Sequence, residues 1–349
     1  SPLIRSRTLI RGPCWSLSKL QNTMWNLDLQ QVRRCLADRQ SVSKSTLARP
    51  NSVTDDSPYV SLDHLDTLWF QVTGTICNLR CTHCFISCSP DNHSFDFLPL
   101  IEVEAWLEKS SFWGVKEYYF TGGEPFMHVD LPSMLEMTLK LGPASVLTNG
   151  TLLPNRMLDP ISDIAHASPY SLEIRVSIDG PSPETNDPIR GEGTFNRAME
   201  GIRKLLDRGF LPIVTATQVW APEKDEEVRQ AFVSRLQAIG YQNPRLKILP
   251  SLRIGREALR KRGYTSSERV NSGMMEGYDS NQLICASSRV VTSRGVYVCP
   301  ILIDDPDARL GSTLEEATTP FQLDKPACYT CWLHGAICSN YGGIGQDVS

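Results

Sequence analysis

Short apolar runs rich in β-branched and aromatic residues alternate along the chain with longer segments of helical periodicity. The apolar runs predict strands at 66–73, 116–121, 144–150, 171–180, 211–218 and 245–249. The helical patterns lie between them, at 101–110, 131–141, 155–166, 194–208 and 223–239. Strands that alternate with helices predict a parallel sheet with right-handed crossovers, which is an α/β fold.

The composition is that of a globular protein. Of 349 residues, 41% are hydrophobic and 21% are charged, which is too apolar for a disordered chain. The length allows one large α/β domain with a smaller module, or two to three small domains. No apolar run approaches the ~18 residues that a membrane helix needs. The net charge of −4 argues against bulk nucleic-acid binding.

Residues 1–50 differ from the rest of the chain in charge. They hold nine Lys and Arg but only two acidic residues, Asp28 and Asp38, and are rich in Ser, which is the composition of an organellar transit peptide. Two alternatives stay open, since the chain begins at Ser1: it is a fragment, or its true start is Met24. We expect a cytoplasmic protein, with organellar targeting as the less favoured alternative. Residues 1–60 are interpreted as a basic, weakly patterned extension.

The eleven cysteines are strongly clustered. Four lie within residues 77–88 and five within the last 65 residues, with none between these groups. A disulfide framework is typical of short secreted chains, whereas tight clusters in a long chain without an export signal indicate metal ligation.

The first cysteine group has the spacing C-x3-C-x2-C, formed by Cys77, Cys81 and Cys84. A structural zinc site needs four ligands, so zinc would require His83 or Cys88 as well. A [4Fe–4S] cluster held by three cysteines keeps one iron free to bind a small molecule. The spacing favours the cluster, and a zinc knuckle is the alternative.

The sequence around this triad indicates a family. The triad follows the predicted strand 66–73, and the motif Gly-Gly-Glu-Pro at 122–125 ends the next strand. The two motifs in this order resemble the radical S-adenosylmethionine (radical SAM) superfamily. The resemblance implies an incomplete (β/α)6 TIM-like barrel over residues 61–252. By analogy with full barrels, its chemistry belongs at the carboxyl ends of the strands.

The resemblance also implies cofactors and site residues. The three cysteines hold the cluster, whose open iron binds S-adenosylmethionine. An electron from a donor such as flavodoxin or ferredoxin then yields a 5′-deoxyadenosyl radical, which takes hydrogen from a substrate. The implied contacts to S-adenosylmethionine are Gly122, Gly123, Glu124, Asn149, Ser177, Asp179, Arg190 and Arg197.

Several of these assignments have simpler alternatives. Glu124 is also readable as a surface charge at a strand end, and Asp179 as part of a turn with Gly180. Arg190 and Arg197 are competing candidates for the cation that binds the cofactor carboxylate. His83 is a better stacking surface near the adenine than a metal ligand.

A second cysteine group lies in a predicted module at 281–349, after a linker at 253–280. Two of its cysteines flank a predicted hairpin and two form a C-x2-C motif, a spacing that zinc would also satisfy. The order resembles the SPASM and twitch extensions of the superfamily. This implies one auxiliary [4Fe–4S] cluster on Cys285, Cys299, Cys328 and Cys331, with Cys338 as the alternate ligand.

The resemblance predicts a radical SAM oxidoreductase or maturase. A peptide is the favoured substrate, because most relatives with this extension act on peptides. The alternatives are a small-molecule dehydrogenase or cyclase similar to the molybdopterin-precursor cyclase, and a non-catalytic zinc-binding scaffold. No general acid or base is identified, and neither a membrane nor a nucleic acid is expected as a partner. The basic run at 253–262 is interpreted as a solvated linker face rather than an anion site.

Overall fold

The computed structural model describes residues 56–335 and 337–338, so the predictions for residues 1–50 lie outside the described part. Strands and helices alternate through most of it. The strands are β1 Tyr59–Val60, β2 Thr67–Gln71, β3 Glu117–Thr121, β4 Ala144–Thr148, β5 Leu172–Ser177, β6 Ile213–Thr217, β7 Arg245–Leu249, β8 Ser288–Thr292, β9 Gly295–Tyr297, β10 Arg309–Gly311 and β11 Phe321–Gln322. The helices are α1 Leu100–Phe112, α2 Leu131–Thr138, α3 Asn155–Ala167, α4 Pro183–Arg190, α5 Thr194–Leu206, α6 Asp225–Gln237, α7 Gly255–Arg260 and α8 Pro326–His334.

Six parallel strands form the centre of the fold. They are β2 to β7, each hydrogen-bonded to the next in chain order, as the alternating pattern predicts. In the described part of the chain β7 is an edge strand, so the sheet is not closed into a complete barrel. The α/β fold with an incomplete TIM-like barrel is therefore confirmed.

The predicted C-terminal hairpin is present, but its position was not predicted. β8 and β9 pair antiparallel, while β8 also pairs in parallel with β2, with Trp69 opposite Val290. β10 adds a third strand to the hairpin, and β1 pairs separately with β11. The C-terminal segment thus extends the barrel sheet beyond β2, next to the strand that leads into the first cysteine group.

The two faces of β2 contribute to different cores. Leu68 and Phe70 lie in the apolar core that includes the buried faces of the helices, whereas Trp69 lies in a second core with the buried cysteines. This alternation follows from the two-residue period of a strand. The ring of Trp69 stacks on that of Tyr119 in β3, with their centroids 4.1 Å apart.

The segment predicted as a linker contains α7 and its ion pairs. Arg253 and Arg262 bind Glu268, while Arg260 binds Glu257, so acidic partners offset the basic run. The amide of Arg256 donates to the carbonyl of Cys84 over 3.1 Å, which anchors α7 to the first cysteine loop. The domain boundaries stay predictions. None of the helices in the described residues is both long and apolar enough to cross a bilayer.

Candidate metal and cofactor site

The loop that begins a few residues after β2 carries Cys77, Cys81 and Cys84. The amide of Cys77 donates to the carbonyl of Ser89 over 3.2 Å, so the start of the loop is tied to its end. Two loop amides donate to sulfur: Leu79 to the Sγ of Cys77 over 3.4 Å, and Cys88 to the Sγ of Cys84 over 3.3 Å. Backbone bonds of this kind favour thiolate and fix the direction of each sulfur.

The two glycines after β3 are required because this loop passes directly against them. A Cβ atom on Gly123 would lie 2.0 Å from the carbonyl oxygen of Ile76. Gly122 has a φ of +151°, and its Cβ would lie 2.2 Å from the Oγ1 of Thr73. The glycines therefore allow close approach of the cysteine loop, as well as lining the cavity that it faces.

Glu124 joins the carboxyl ends of β3 and β4. Its Oε1 accepts from the amide of Phe126 over 3.0 Å and from the Oγ1 of Thr148 over 2.7 Å, while its Oε2 accepts from the amide of Asn149 over 2.7 Å. Burial raises the pKa of Glu124 to about 7 against these three donors. Its own amide donates to the carbonyl of Ile76. The reading as a surface charge is wrong, since the residue is fully buried, and its contact with a cofactor stays a prediction.

Asn149 places an amide beside the first cysteine. Its Nδ2 donates to the Oδ1 of Asn78 over 2.8 Å and lies 3.8 Å from the Sγ of Cys77. Its Oδ1 accepts from the amide of Thr151 over 2.9 Å. The side chain is held in place on both sides and lines the same cavity as the cysteine sulfurs.

The carboxylate of Asp179 binds Arg190 and His83, and Asp179 lies behind the cavity wall that these two residues help to form. Its Oδ2 lies 2.6 Å from the Nε of Arg190 and 2.7 Å from the Nε2 of His83, and its Oδ1 accepts from the amide of Thr217 over 2.7 Å. Burial alone would raise the pKa of Asp179, but Arg190 and His83 hold it well below its usual range. The carboxylate thereby orients His83 and Arg190, which both line the cavity.

The two arginine candidates are separated by the structure. Arg190 ends α4 and is buried beside the cysteine loop, where its carbonyl lies 4.0 Å from the Sγ of Cys81. Arg197 is exposed on α5, donates to the carbonyl of Glu192 over 3.4 Å and does not line this cavity. The geometry favours Arg190, while both assignments stay predictions.

A cavity of about 230 Å³ brings most of the predicted site together. Cys77, Cys81 and Cys84 line it, and so do Gly122, Gly123, Asn149, Ser177 and Arg190. Glu124 and Asp179 support this wall from behind.

The donor set fits an iron–sulfur cluster. Burial raises the pKa of Cys77 to about 12 and raises that of Cys81, whereas hydrogen bonding from Cys88 lowers that of Cys84 to about 5. Thiolates at Cys77 and Cys81 therefore need a strong positive partner. The irons of a cluster held by three cysteines supply that charge, and the adjoining cavity leaves room for a ligand on the fourth iron. No group of three His, Cys, Asp or Glu side chains among the described residues lies close enough together to hold a single metal ion.

Comparison with known proteins agrees with this geometry. Residues 72–233 match the family model described as the radical SAM superfamily. Residues 72–233 therefore contain a radical SAM domain. This domain is typical of enzymes that use a [4Fe–4S] cluster and S-adenosylmethionine, which favours an enzyme over the zinc-binding scaffold.

Curated relatives match only part of the chain. One is Fe-coproporphyrin III synthase of Methanosarcina barkeri, 32% identical over 38% of this chain and 32% of that protein. Another is the antilisterial bacteriocin subtilosin biosynthesis protein AlbA of Bacillus subtilis, 29% identical over 38% of this chain and 29% of that protein. The chain thus spans about a third of these relatives' length.

A solved structure shows the same fold over more of the chain. Streptococcus suis SuiB bound to precursor peptide SuiA superposes with a TM-score of 0.56 at 14% identity. The match covers 74% of this chain and 66% of that one.

The C-terminal cysteines form a second buried group. Cys285 precedes β8, Cys299 follows β9, and α8 carries both Cys328 and Cys331. These four line a cavity of about 20 Å³ whose other walls are apolar. Burial raises the pKa of Cys285 to about 12 and that of Cys299 to about 11, so this thiol set also requires a positive partner.

Cys338 is placed differently from those four. It lines the first cavity, and its carbonyl accepts from the Nη1 of Arg175 over 2.9 Å. Arg175 itself lines that cavity from β5 and was not predicted as a site residue. In the sequence, Arg175 stands out only as a charged residue inside a largely apolar predicted strand. In the structure its Nε lies 2.9 Å from the Oε1 of Glu173.

Proposed function

We propose that this radical SAM enzyme is an oxidoreductase or maturase that modifies a peptide. The observation that carries the proposal is one cavity lined both by the three sulfurs of the C-x3-C-x2-C loop and by the polar groups expected to bind S-adenosylmethionine. When bound, the cluster and S-adenosylmethionine supply a 5′-deoxyadenosyl radical that abstracts hydrogen from a substrate.

The chain's own residues bind and orient these groups. Cys77, Cys81 and Cys84 hold the cluster. Arg190 is held by Asp179 and offers a buried cation to the carboxylate of S-adenosylmethionine. The side chain of Asp179 also orients His83, whose ring gives a flat surface for the adenine. Because these supporting bonds exist before any ligand binds, they reduce the ordering that binding would otherwise cost.

The second cysteine group is proposed to hold one auxiliary [4Fe–4S] cluster. Its ligands are Cys285, Cys299, Cys328 and Cys331, whose sulfurs lie around one apolar cavity. Pro300, the residue after Cys299, lines the first cavity, so the two sites share a wall. This supports a role in accepting an electron from the substrate radical. A flavodoxin or ferredoxin is the proposed donor to the first cluster.

The peptide assignment is supported by two of the similar proteins. SuiB is seen with a precursor peptide, and AlbA serves in bacteriocin biosynthesis. A small-molecule substrate is the second candidate, because a relative of higher identity is named as a coproporphyrin synthase.

Deuterium transfer would separate these two candidates. The reconstituted enzyme is incubated with S-adenosylmethionine, dithionite and an extract of the source organism grown in D2O, and deuterium in 5′-deoxyadenosine is measured by mass spectrometry. For a peptide donor, we expect transfer that protease treatment of the extract abolishes, with Cys81→Ala as the blank. Transfer that survives protease would favour the small molecule. No cleavage of S-adenosylmethionine in any mixture would contradict both.

A further inference from the structure

Arg289 in β8 is a buried cation without an acidic partner among the described residues. Its exposed fraction is 1%, and the hydrogen bonds that its guanidinium makes to described residues all go to backbone carbonyls. The Nε donates to the carbonyl of Ala317 over 2.7 Å, and the Nη1 donates to the carbonyls of Cys285 over 2.7 Å and Ser288 over 2.6 Å. The Nη2 is buried and has no hydrogen-bond partner within residues 56–335 and 337–338.

Two other buried arginines, Arg175 in the same sheet and Arg190 at the end of α4, have carboxylates. Arg175 binds Glu173 over 2.9 Å, and Arg190 binds Asp179 over 2.6 Å. A buried charge is costly unless another charge compensates it. The structure therefore leaves an excess positive charge at Arg289 that must be balanced by something other than a carboxylate of the described residues.

The nearest candidates for that balance are the auxiliary cysteines. The thiols of Cys285 and Cys299 both lie within electrostatic range of the guanidinium. Arg289 also holds the carbonyl of Cys285, and thus the turn from which that sulfur projects. Four thiolates on a [4Fe–4S] core give the whole unit a net negative charge, and such charge is one of the terms that set a cluster's reduction potential.

We propose that Arg289 is the counter-charge of the auxiliary cluster, a positioning residue that fixes the Cys285 turn and raises the cluster's reduction potential. This inference rests on the auxiliary cluster of the proposed function. A cation beside the cluster stabilises the reduced, more negative state over the oxidised one. It would therefore help the cluster to accept an electron.

The test measures the auxiliary cluster's potential in the reconstituted full chain by EPR-monitored redox titration. The auxiliary signal is identified as the one that survives in the variant Cys77→Ala/Cys81→Ala/Cys84→Ala. Arg289→Met removes the charge at similar length, and Arg289→Lys keeps it. Arg294→Met is the matched control, because Arg294 lies on the same hairpin but is exposed and solvent screens its charge.

We expect Arg289→Met to lower the equilibrium constant for reduction at least about tenfold, which is 59 mV for a one-electron couple. Arg289→Lys and Arg294→Met should stay close to the wild type. An unchanged potential in Arg289→Met, or equal shifts in the Met and Lys variants, would overturn the proposal.

Failure to fold, loss of the auxiliary irons and the iron content of the wild type each have a defined consequence. If Arg289→Met does not fold, Arg289→Gln is titrated in its place, with the same expectation. If the neutral variants fold but lose the auxiliary irons while Arg289→Lys keeps them, the counter-charge role is supported, whereas equal loss in all three overturns it. A wild-type chain with about four irons instead of about eight would show that the auxiliary cluster itself is absent, which is a failure of the proposed function.

Discussion

The two cysteine groups of this protein are built in opposite ways. The first places three thiols on one short loop against a cavity of about 230 Å³ that is also lined by polar side chains. The second collects four thiols from three separate segments around a cavity of about 20 Å³ with apolar walls. Metal sites with an open position bind and activate a ligand, whereas closed sites with a full ligand set do not. The first group is thus suited to chemistry on a bound molecule, and the second to a saturated cluster that transfers electrons.

The largest effect is expected from removing a ligand of the open site. Cys81→Ala should lower formation of 5′-deoxyadenosine from S-adenosylmethionine at least about 100-fold, because loss of an outer partner of a metal site already costs 10–100-fold. The measurement is chromatography of reactions containing dithionite. Cys88→Ala is the control, since it removes a thiol that only hydrogen-bonds the Cys84 sulfur and lies outside the predicted triad, while the amide bond to Cys84 survives the change. Equal activity in the two variants would refute the assignment of the triad.

Removing a ligand of the closed site should separate the two functions. We expect Cys299→Ala to lose the auxiliary irons and substrate turnover while it still cleaves S-adenosylmethionine, because the first cavity keeps all its own ligands. Iron content, 5′-deoxyadenosine and deuterium transfer from substrate are measured together. Full turnover with half the iron would exclude an essential electron-transfer role.

The polar support behind the open site should contribute strongly to stability. Asp179→Asn leaves Arg190 buried without its carboxylate, which typically costs about 3–5 kcal/mol of unfolding free energy. The pKa of Asp179 is lower in the folded protein than in the unfolded chain, where it is ~4. The stability that the ion pair contributes is therefore complete above the unfolded pKa and is lost as the pH falls through the lower folded pKa.

Urea unfolding at several pH values checks this expectation. The gap between Asp179→Asn and the wild type should be constant from about pH 7 to 5 and narrow only in stronger acid. A cost below about 1 kcal/mol at neutral pH would mean that the ion pair is not a support of this site.

The smallest effect is expected where the cysteine loop contacts the end of β3. Gly123→Ala puts a Cβ against the carbonyl of Ile76 and should cost about 1–3 kcal/mol, with reduced iron content of the first site. Gly263→Ala is the control, because its Cβ would lie 3.9 Å from the nearest neighbouring atom of the described residues, the carbonyl oxygen of Arg253, and it should change stability by less than about 0.5 kcal/mol. Equal costs at both positions would show that close packing at Gly123 is unimportant.

The elements that sequence reasoning found are those with a strong local pattern. The six barrel strands and α1, α2, α3, α5 and α6 were all predicted, because apolar periodicity reports burial of one face. α4 was missed because Pro188 lies inside it, and α8 because it is short and lies within the cysteine-rich tail. The chemistry at Asp179 was only partly predicted: the residue was singled out as a cofactor contact, whereas its carboxylate is bound to His83 and Arg190.

The sequence by itself indicated the radical SAM domain, the alternation of barrel strands and helices, and the cysteine triad predicted to hold the first cluster, because these depend on spacings within one loop, strand or helix. Tertiary structure decided which polar groups share the cavity, that β8 joins β2, and that Arg289 is buried beside the second cysteine group. These outcomes depend on residues far apart in the chain, such as Arg175 and Cys338, which are 163 positions apart and joined by one hydrogen bond. A local pattern carries no information on such a pair, since only the folded chain brings its members together.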